Sequence, residues 1–128
     1  MTRINLVNPS ELCRQHLIAE YRELPRIFGL VRKAVARGET VDSIQIPPEY
    51  CLGKGHCKFF YDKLAFLFIR YGQIVVEMRK RNYTVNYWFT RLYTDNNSIP
   101  KQWWNDYVPP PHSIALSRQR IQQRLQEM

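Results

Sequence analysis

The sequence predicts an all-α protein: a single compact domain, residues 1–128, of about three helices joined by irregular loops, with the first helix kinked near Pro25. Three observations carry this. Leu17, Tyr21, Leu24, Phe28, Val31 and Val35 recur at i+3 and i+4 spacing, an apolar stripe of helical period. A second segment, rich in Phe and Leu from 59 to 69, closes with Lys80 and Arg81, and cations suit a helix C-terminus. Between these stretches, and again at Pro109-Pro-Pro111, proline and glycine interrupt any regular element.

The first helix is expected over about 9–38. Asn8 fits the N-cap, Pro9 the first helical position, Glu11 the capping-box acid and Gly38 the stop. At 100° per residue Arg22, Arg26, Lys33 and Arg37 gather roughly opposite the apolar stripe, with His16 and Glu23 along one edge of that basic face. A solvated face with ordinary ion pairs has the same spacing. Pro25 argues for more, because an interior proline costs about 3 kcal/mol and broken local rules cluster at functional sites. A loop with Pro47-Pro48, Gly53 and Gly55 follows. Its flank 41–53 carries two acids and no base, a poor surface for a polyanion.

The second helix is expected over about 58–81, with Phe59, Phe60, Leu64, Leu67 and Ile69 inward and Gly72 weakening its middle by roughly 1 kcal/mol relative to Ala. Tyr83–Thr90 alternates weakly and is read as an irregular connection rather than a strand. A last helix runs from near Ser113 to about 126, with Ile114, Ile121 and Leu125 inward and Arg120 and Arg124 one turn apart on its outer side. Trp103-Trp104, in a proline-bounded loop, reads as core cover, with base stacking as the alternative.

At 128 residues there is room for one core and not two. The net charge of +8 and pI near 9.7 favour a polyanionic partner. Residues 54–81 carry seven basic against two acidic residues, and residues 1–40 seven against four. The longest apolar stretch, Leu64–Ile69, is far too short for a membrane span, and no signal-peptide pattern is present. Cys13, Cys51 and Cys57 form no C-x-x-C pair and are odd in number, which argues for a reducing compartment. Cys51, His56 and Cys57 lack a fourth ligand at useful spacing, so no metal is expected. His56, after Gly55, reads as structural.

The N-terminus offers chemistry. Thr2 is small, so removal of Met1 would leave the α-amine on Thr2. An α-amine titrates near 7.7–8.0, well below lysine, and nearby positive charge lowers it further. Such amines attack electrophilic carbon and form Schiff bases.

A family resemblance joins these features. Met1-Thr-Arg-Ile-Asn-Leu, Ser10-Glu-Leu, Gln15-His-Leu, Ala19-Glu-Tyr-Arg-Glu-Leu-Pro-Arg26 and Val31-Arg-Lys33 closely resemble the pyrimidine dimer DNA glycosylases, the endonuclease V type of viral repair enzyme. The resemblance continues in Leu52-Gly53, Gly55-His56, Phe59-Phe-Tyr-Asp-Lys-Leu64, Phe66-Leu67, Lys80-Arg81, Asp106-Tyr107, Pro109 and Ser113-Ile-Ala115, while 83–104 matches poorly. It implies base-excision repair of damaged double-stranded DNA, with Thr2 and Glu23 catalytic and Arg3, His16, Arg22, Arg26, Lys33, Arg120 and Arg124 contacting DNA. The implied mechanism is attack of the α-amine on C1′, then β-elimination at the abasic site. Bending of the duplex and extrusion of a nucleotide are expected with it. No metal or organic cofactor, no membrane and no obligate protein partner are expected. The expected state is a monomer in the cytoplasm, on the nucleoid when acting on DNA. Viral members continue with an aromatic, lysine-rich tail, and this sequence stops at Met128 without it. Oxidised or ring-opened bases and abasic sites therefore stand beside pyrimidine dimers as candidate lesions. A non-catalytic DNA-binding protein with the same fold is the alternative, though backbone binding needs neither Thr2 nor Glu23. An RNA-directed protein is a third reading, for which no module signature appears.

Overall fold

The computed structural model describes residues 3–128. The chain enters as an irregular segment, 3–7, that bends at Val7 and is buried from Ile4 to Val7. A 3₁₀ turn, Pro9–Glu11, follows, and Asn8 caps it by accepting the Ser10 N–H at 2.9 Å. The first helix, α1 (Arg14–Ala36), therefore starts later than the cap signals suggest. Asn8 and Pro9 serve the 3₁₀ turn, and buried Leu12 is extended (φ −84°, ψ 139°), which separates turn from helix. Glu11 closes no capping box; it pairs with Arg118 at 3.1 Å.

At its other end α1 stops as predicted. Gly38 takes φ +83°, its N–H bonds the Val35 carbonyl, and the Glu39 N–H reaches back to Ala34. This is a Schellman cap, which a left-handed glycine suits. Pro25 sits inside α1, where it deprives the Tyr21 carbonyl of its helical donor.

The expected second helix divides into α2 (His56–Phe59) and α3 (Leu64–Lys80). Residues 81–88 are irregular, as read from the sequence, but Phe89 and Thr90 open a short α4 (Phe89–Asn96) that was not foreseen. A 3₁₀ turn at Lys101–Trp103 precedes α5 (Pro111–Glu127), which begins with proline at its first position. The described residues thus hold five helices rather than about three, and no strand; their one β-type pairing is a bridge between Lys63 and Trp104.

The core lies between α1 and α3, with α4 touching both. Leu17, Leu24, Phe28 and Val31 of the predicted stripe are fully buried, and Tyr21 stacks on Tyr71 with ring centroids 5.7 Å apart. Side chains of this size each gain about 1.5–3 kcal/mol from burial. Trp103 is wholly enclosed and Trp104 packs against Phe28, so the tandem tryptophans cover the core. Two expected core residues face outward: Ile69 on α3 is 52% exposed and Leu125 on α5 is 43% exposed.

Candidate active site

The N-terminal segment is tied down by side chains from four helices and from the loop that carries Tyr50. His56, the first residue of α2, accepts the Ile4 N–H at its Nε2 (2.8 Å), and its Nδ1 faces the Cys51 carbonyl (2.8 Å). The Tyr50 hydroxyl donates to the Ile4 carbonyl (2.8 Å), so both backbone groups of Ile4 are held. Ser117 on α5 accepts the Leu6 N–H through Oγ (2.9 Å). Glu20 on α1 and Arg70 on α3 form a buried pair; Asn5 also donates to Glu20 (2.8 Å), and Arg70 donates to the Val7 carbonyl. These partners satisfy backbone polar groups that a buried irregular segment would otherwise leave unpaired.

The segment thereby meets α1 and α5 around a small cavity of about 90 Å³. Arg3 and Asn5 line it from the segment, His16, Ala19, Glu20 and Glu23 from α1, and Arg120, Ile121 and Arg124 from α5. His16 and Glu23 are two turns apart, so both face it. Arg120 and Arg124, expected on the outer side of α5, are half-buried and turn toward α1 because Ile121 between them packs into the core.

Positive charge is concentrated here. Burial, then the charges of Arg120 and Arg124, push the Arg3 pKa down, and Glu23 partly opposes this. Burial, then Arg3 and Arg124, lower the His16 pKa below the ordinary histidine value, so His16 is neutral at pH 7. Arg3 Nη1, His16 Nδ1 and Arg120 Nε are buried without a hydrogen-bond partner in the protein. With Glu20 neutralised by Arg70, Glu23 is the one cavity carboxylate without a buried ion-pair partner among the described residues. Three guanidinium groups around one carboxylate suit a phosphodiester or a developing charge on a sugar.

A family model described as pyrimidine dimer DNA glycosylase matches residues 1–91 of the 128. The chain belongs to this family. Its function is therefore that of a DNA glycosylase, and its substrate is DNA. The match includes Arg3, His16, Glu20 and Glu23 and ends within α4. Arg120 and Arg124 lie beyond it, and α5 brings them to the same cavity.

Of the glycosylase's sequence-predicted site residues, the structure gathers Arg3, His16, Glu23, Arg120 and Arg124 at the cavity. Thr2 lies outside the described residues. Arg22 and Arg26 are exposed and do not line the cavity. Arg22 borders a cleft between α1 and residues 82–86, with Arg14 and Tyr83, while Arg26 and Lys33 line a hollow along α1 with Arg32. Cys57 is half-buried near Glu23, and burial, then that carboxylate, push its thiol pKa up.

Sequence reasoning missed Asn5, Glu20, Tyr50, Arg70 and Ser117. A signal existed for two of them. Glu20 falls three residues after Leu17 and four before Leu24, on the apolar stripe, and Arg70 ends the longest apolar run. A charge at such a place needs a buried partner. Among the described residues no group of three His, Cys, Asp or Glu side chains forms a metal site, and no helix is long and apolar enough to cross a membrane.

Proposed function

We propose that this DNA glycosylase is also an abasic-site lyase, acting on damaged double-stranded DNA through the α-amine of residue 2. The amine attacks C1′ of the damaged nucleotide, a C–N bond forms, and the bond from C1′ to the base breaks. The sugar ring opens to an iminium linked to the protein. A proton then leaves C2′, and the C3′–O bond breaks by β-elimination, releasing the strand on the 3′ side of the lesion with a 5′ phosphate. Water finally hydrolyses the imine and frees the amine.

Glu23 is assigned two tasks: stabilising the cationic sugar and iminium, and moving the proton at C2′. Arg3, Arg120 and Arg124 hold the phosphates nearest the lesion, and neutral His16 orients the sugar or relays a proton. Arg22, Arg26 and Lys33 engage phosphates further along the duplex. Pyrimidine dimers are the assigned lesion. The protein works as a monomer of one domain in the cytoplasm, on the nucleoid when bound to DNA, without a cofactor or obligate protein partner.

The observation that carries this reading is the anchoring of Ile4. Covalent reach keeps residue 2 within about 7 Å of the Ile4 Cα. Ile4 is fully buried, and Arg3 between them borders the cavity that Glu23 lines. An α-amine on residue 2 is thus kept by covalent reach near a cavity lined by Glu23 and three arginines. The deciding experiment is borohydride trapping on duplexes containing one abasic site or one pyrimidine dimer, followed by peptide mapping. A covalent adduct on residue 2 with both substrates is expected. An adduct on an internal lysine refutes the assignment, and binding without any adduct returns the chain to a non-catalytic DNA-binding role.

A further inference from the structure

The anchor of Ile4 depends on the chemical form of one side chain. A histidine ring presents one donor and one acceptor only when neutral, and the tautomer decides which nitrogen is which. The Ile4 N–H can only donate and the Cys51 carbonyl can only accept, so His56 must carry its proton on Nδ1 and leave Nε2 bare. The ring is 3% exposed, wedged edge-on between Tyr50 (5.4 Å between centroids) and Phe60 (5.7 Å). Among the described residues His56 is the side chain that accepts the Ile4 N–H, and Tyr50 serves its carbonyl.

We propose that His56 is a positioning residue for the reaction: as a neutral acceptor it fixes the Ile4 amide, and so limits where the α-amine of residue 2 reaches relative to Glu23. This rests on the amine being the nucleophile. His56 touches neither substrate nor the reacting atoms; it acts through two peptide units. Protonation at Nε2 sets two N–H groups against each other and releases Ile4. The lock therefore opens in acid, and the nucleophile loses its placement at the same time.

The groups around the ring set where this happens. Arg3 of the N-terminal segment and Glu20 of α1 are the charges that face it, and Tyr50 is the titratable neighbour from the preceding loop. Burial is the largest influence and lowers the His56 pKa; the bond to Cys51 opposes it, Arg3 adds to it and Glu20 opposes it. The lock consequently holds through neutral pH and fails below the ordinary histidine range.

The test combines the intact protein with two variants. Long-range ¹⁵N correlation at neutral pH should show the proton of His56 on Nδ1. On acidification, exchange protection of the Ile4 amide should be lost as the ring titrates. Single-turnover trapping on abasic-site DNA should pass there from a one-proton dependence, set by the amine, to a two-proton dependence. His56→Leu should slow trapping by about a hundredfold, as misplacement of a reacting group does, with DNA affinity within about twofold of wild type. His56→Gln should recover most of the rate, because its amide can accept from Ile4 and donate to Cys51. It should also lack the second proton dependence. A proton on Nε2, or a folded His56→Leu that traps at the wild-type rate, overturns the proposal. If the variants do not fold, the wild type decides: Ile4 protection that outlasts the ring's protonation also overturns it. An adduct on an internal lysine removes the amine reading itself, and this proposal with it; an adduct on residue 2 with trapping indifferent to His56 removes only the positioning role.

Discussion

Glu20 and Arg70 face each other across the α1–α3 interface as a two-pronged pair, Nε to Oε2 at 2.7 Å and Nη2 to Oε1 at 3.0 Å, with side chains 0% and 4% exposed. Asn5 adds a third donor to the carboxylate, and Arg70 spends its remaining nitrogen on the Val7 carbonyl. Two helices and the entering chain are thus joined at one point, three residues before Glu23. A buried pair adds little net stability over apolar residues of equal volume, because both charges lose their water. What it supplies here is register: the N-terminal segment has one position in which Asn5 and Val7 are both satisfied.

Removing one partner leaves the other charged and buried. Arg70→Met should therefore cost about 3–5 kcal/mol in urea unfolding. The double change Glu20→Leu with Arg70→Met should be less harmful than the sum of its parts, since no charge is stranded. A single change costing under about 1 kcal/mol would show that water reaches the pair and that the register argument is mistaken.

Glu23, by contrast, is half-buried and lines the cavity. Glu23→Gln keeps the shape and removes one negative charge from a site meant for a polyanion. Affinity for damaged DNA should hold or rise, while glycosylase turnover falls by orders of magnitude, the pattern of a group that acts on the transition state. Turnover close to wild type would dismiss Glu23 as the catalytic carboxylate.

Acid should weaken the fold before carboxylate titration explains it. His56 and His16 both have pKa values lowered chiefly by burial. The unfolded chain takes up these protons near pH 6.5 and the native state resists, so stability present above that pH is lost as pH falls through it. Urea midpoints measured at steps from pH 7.5 to 5 should decline, and more gently in His56→Gln. A flat or rising midpoint in the wild type would contradict burial as the cause.

Gly72 tests the reading of α3. It sits mid-helix, a Cβ built on it meets nothing within 4 Å, and its φ is not positive. Gly72→Ala should therefore stabilise the protein by about 1 kcal/mol, a rise in Tm of roughly 3–4 °C, with strand cleavage unchanged. A lower Tm would mean that a Cβ at position 72 meets a neighbour in solution.

How far the sequence disclosed all this depended on range. Local signals worked: the α1 stripe lies on the core, Gly38 caps the helix, and the proline run opens α5. The start of α1 was misplaced because Asn8 and Pro9 suit a 3₁₀ turn as well as a helix, and buried Leu12 chooses between them. The short α4 was hidden because Trp88 gives it no side-chain cap and its eight residues include two threonines, an aspartate and an asparagine. His16 and Glu23 were legible as a pair because one helix presents both. Their meeting with Arg120 and Arg124 depends on a contact across about a hundred residues, which spacing cannot express. The hydrogen bond from Ile4 to His56 is invisible for the same reason.

The exposed cations of α1 separate binding from chemistry. Arg26 and Lys33 line one hollow along the helix, while Arg22, one turn before Arg26, opens onto a different cleft. None of the three reaches the cavity of Glu23, so their contribution should be to phosphates and not to the lesion. Each phosphate neutralised releases condensed counterions, and log K falls by about 0.9 per contact with log salt. Arg26→Ala should make that slope shallower by about one unit, equally on damaged and undamaged duplexes, because phosphates carry no lesion information. Turnover at saturating DNA should change little, since a residue outside the cavity cannot favour the transition state over the bound substrate. Arg120→Ala is the contrast. It removes a half-buried cation that faces Glu23's cavity, so it should lower single-turnover cleavage even when DNA is saturating. Salt-titrated binding of both variants, with single-turnover rates, distinguishes them. Should Arg26→Ala leave the slope unchanged and abolish cleavage, Arg26 would belong with the catalytic carboxylate, and DNA must then draw α1's outer face toward the cavity. An unchanged slope with unchanged cleavage would leave that face as solvated helix surface, and the binding energy would have to come from Arg3, Arg120 and Arg124 alone.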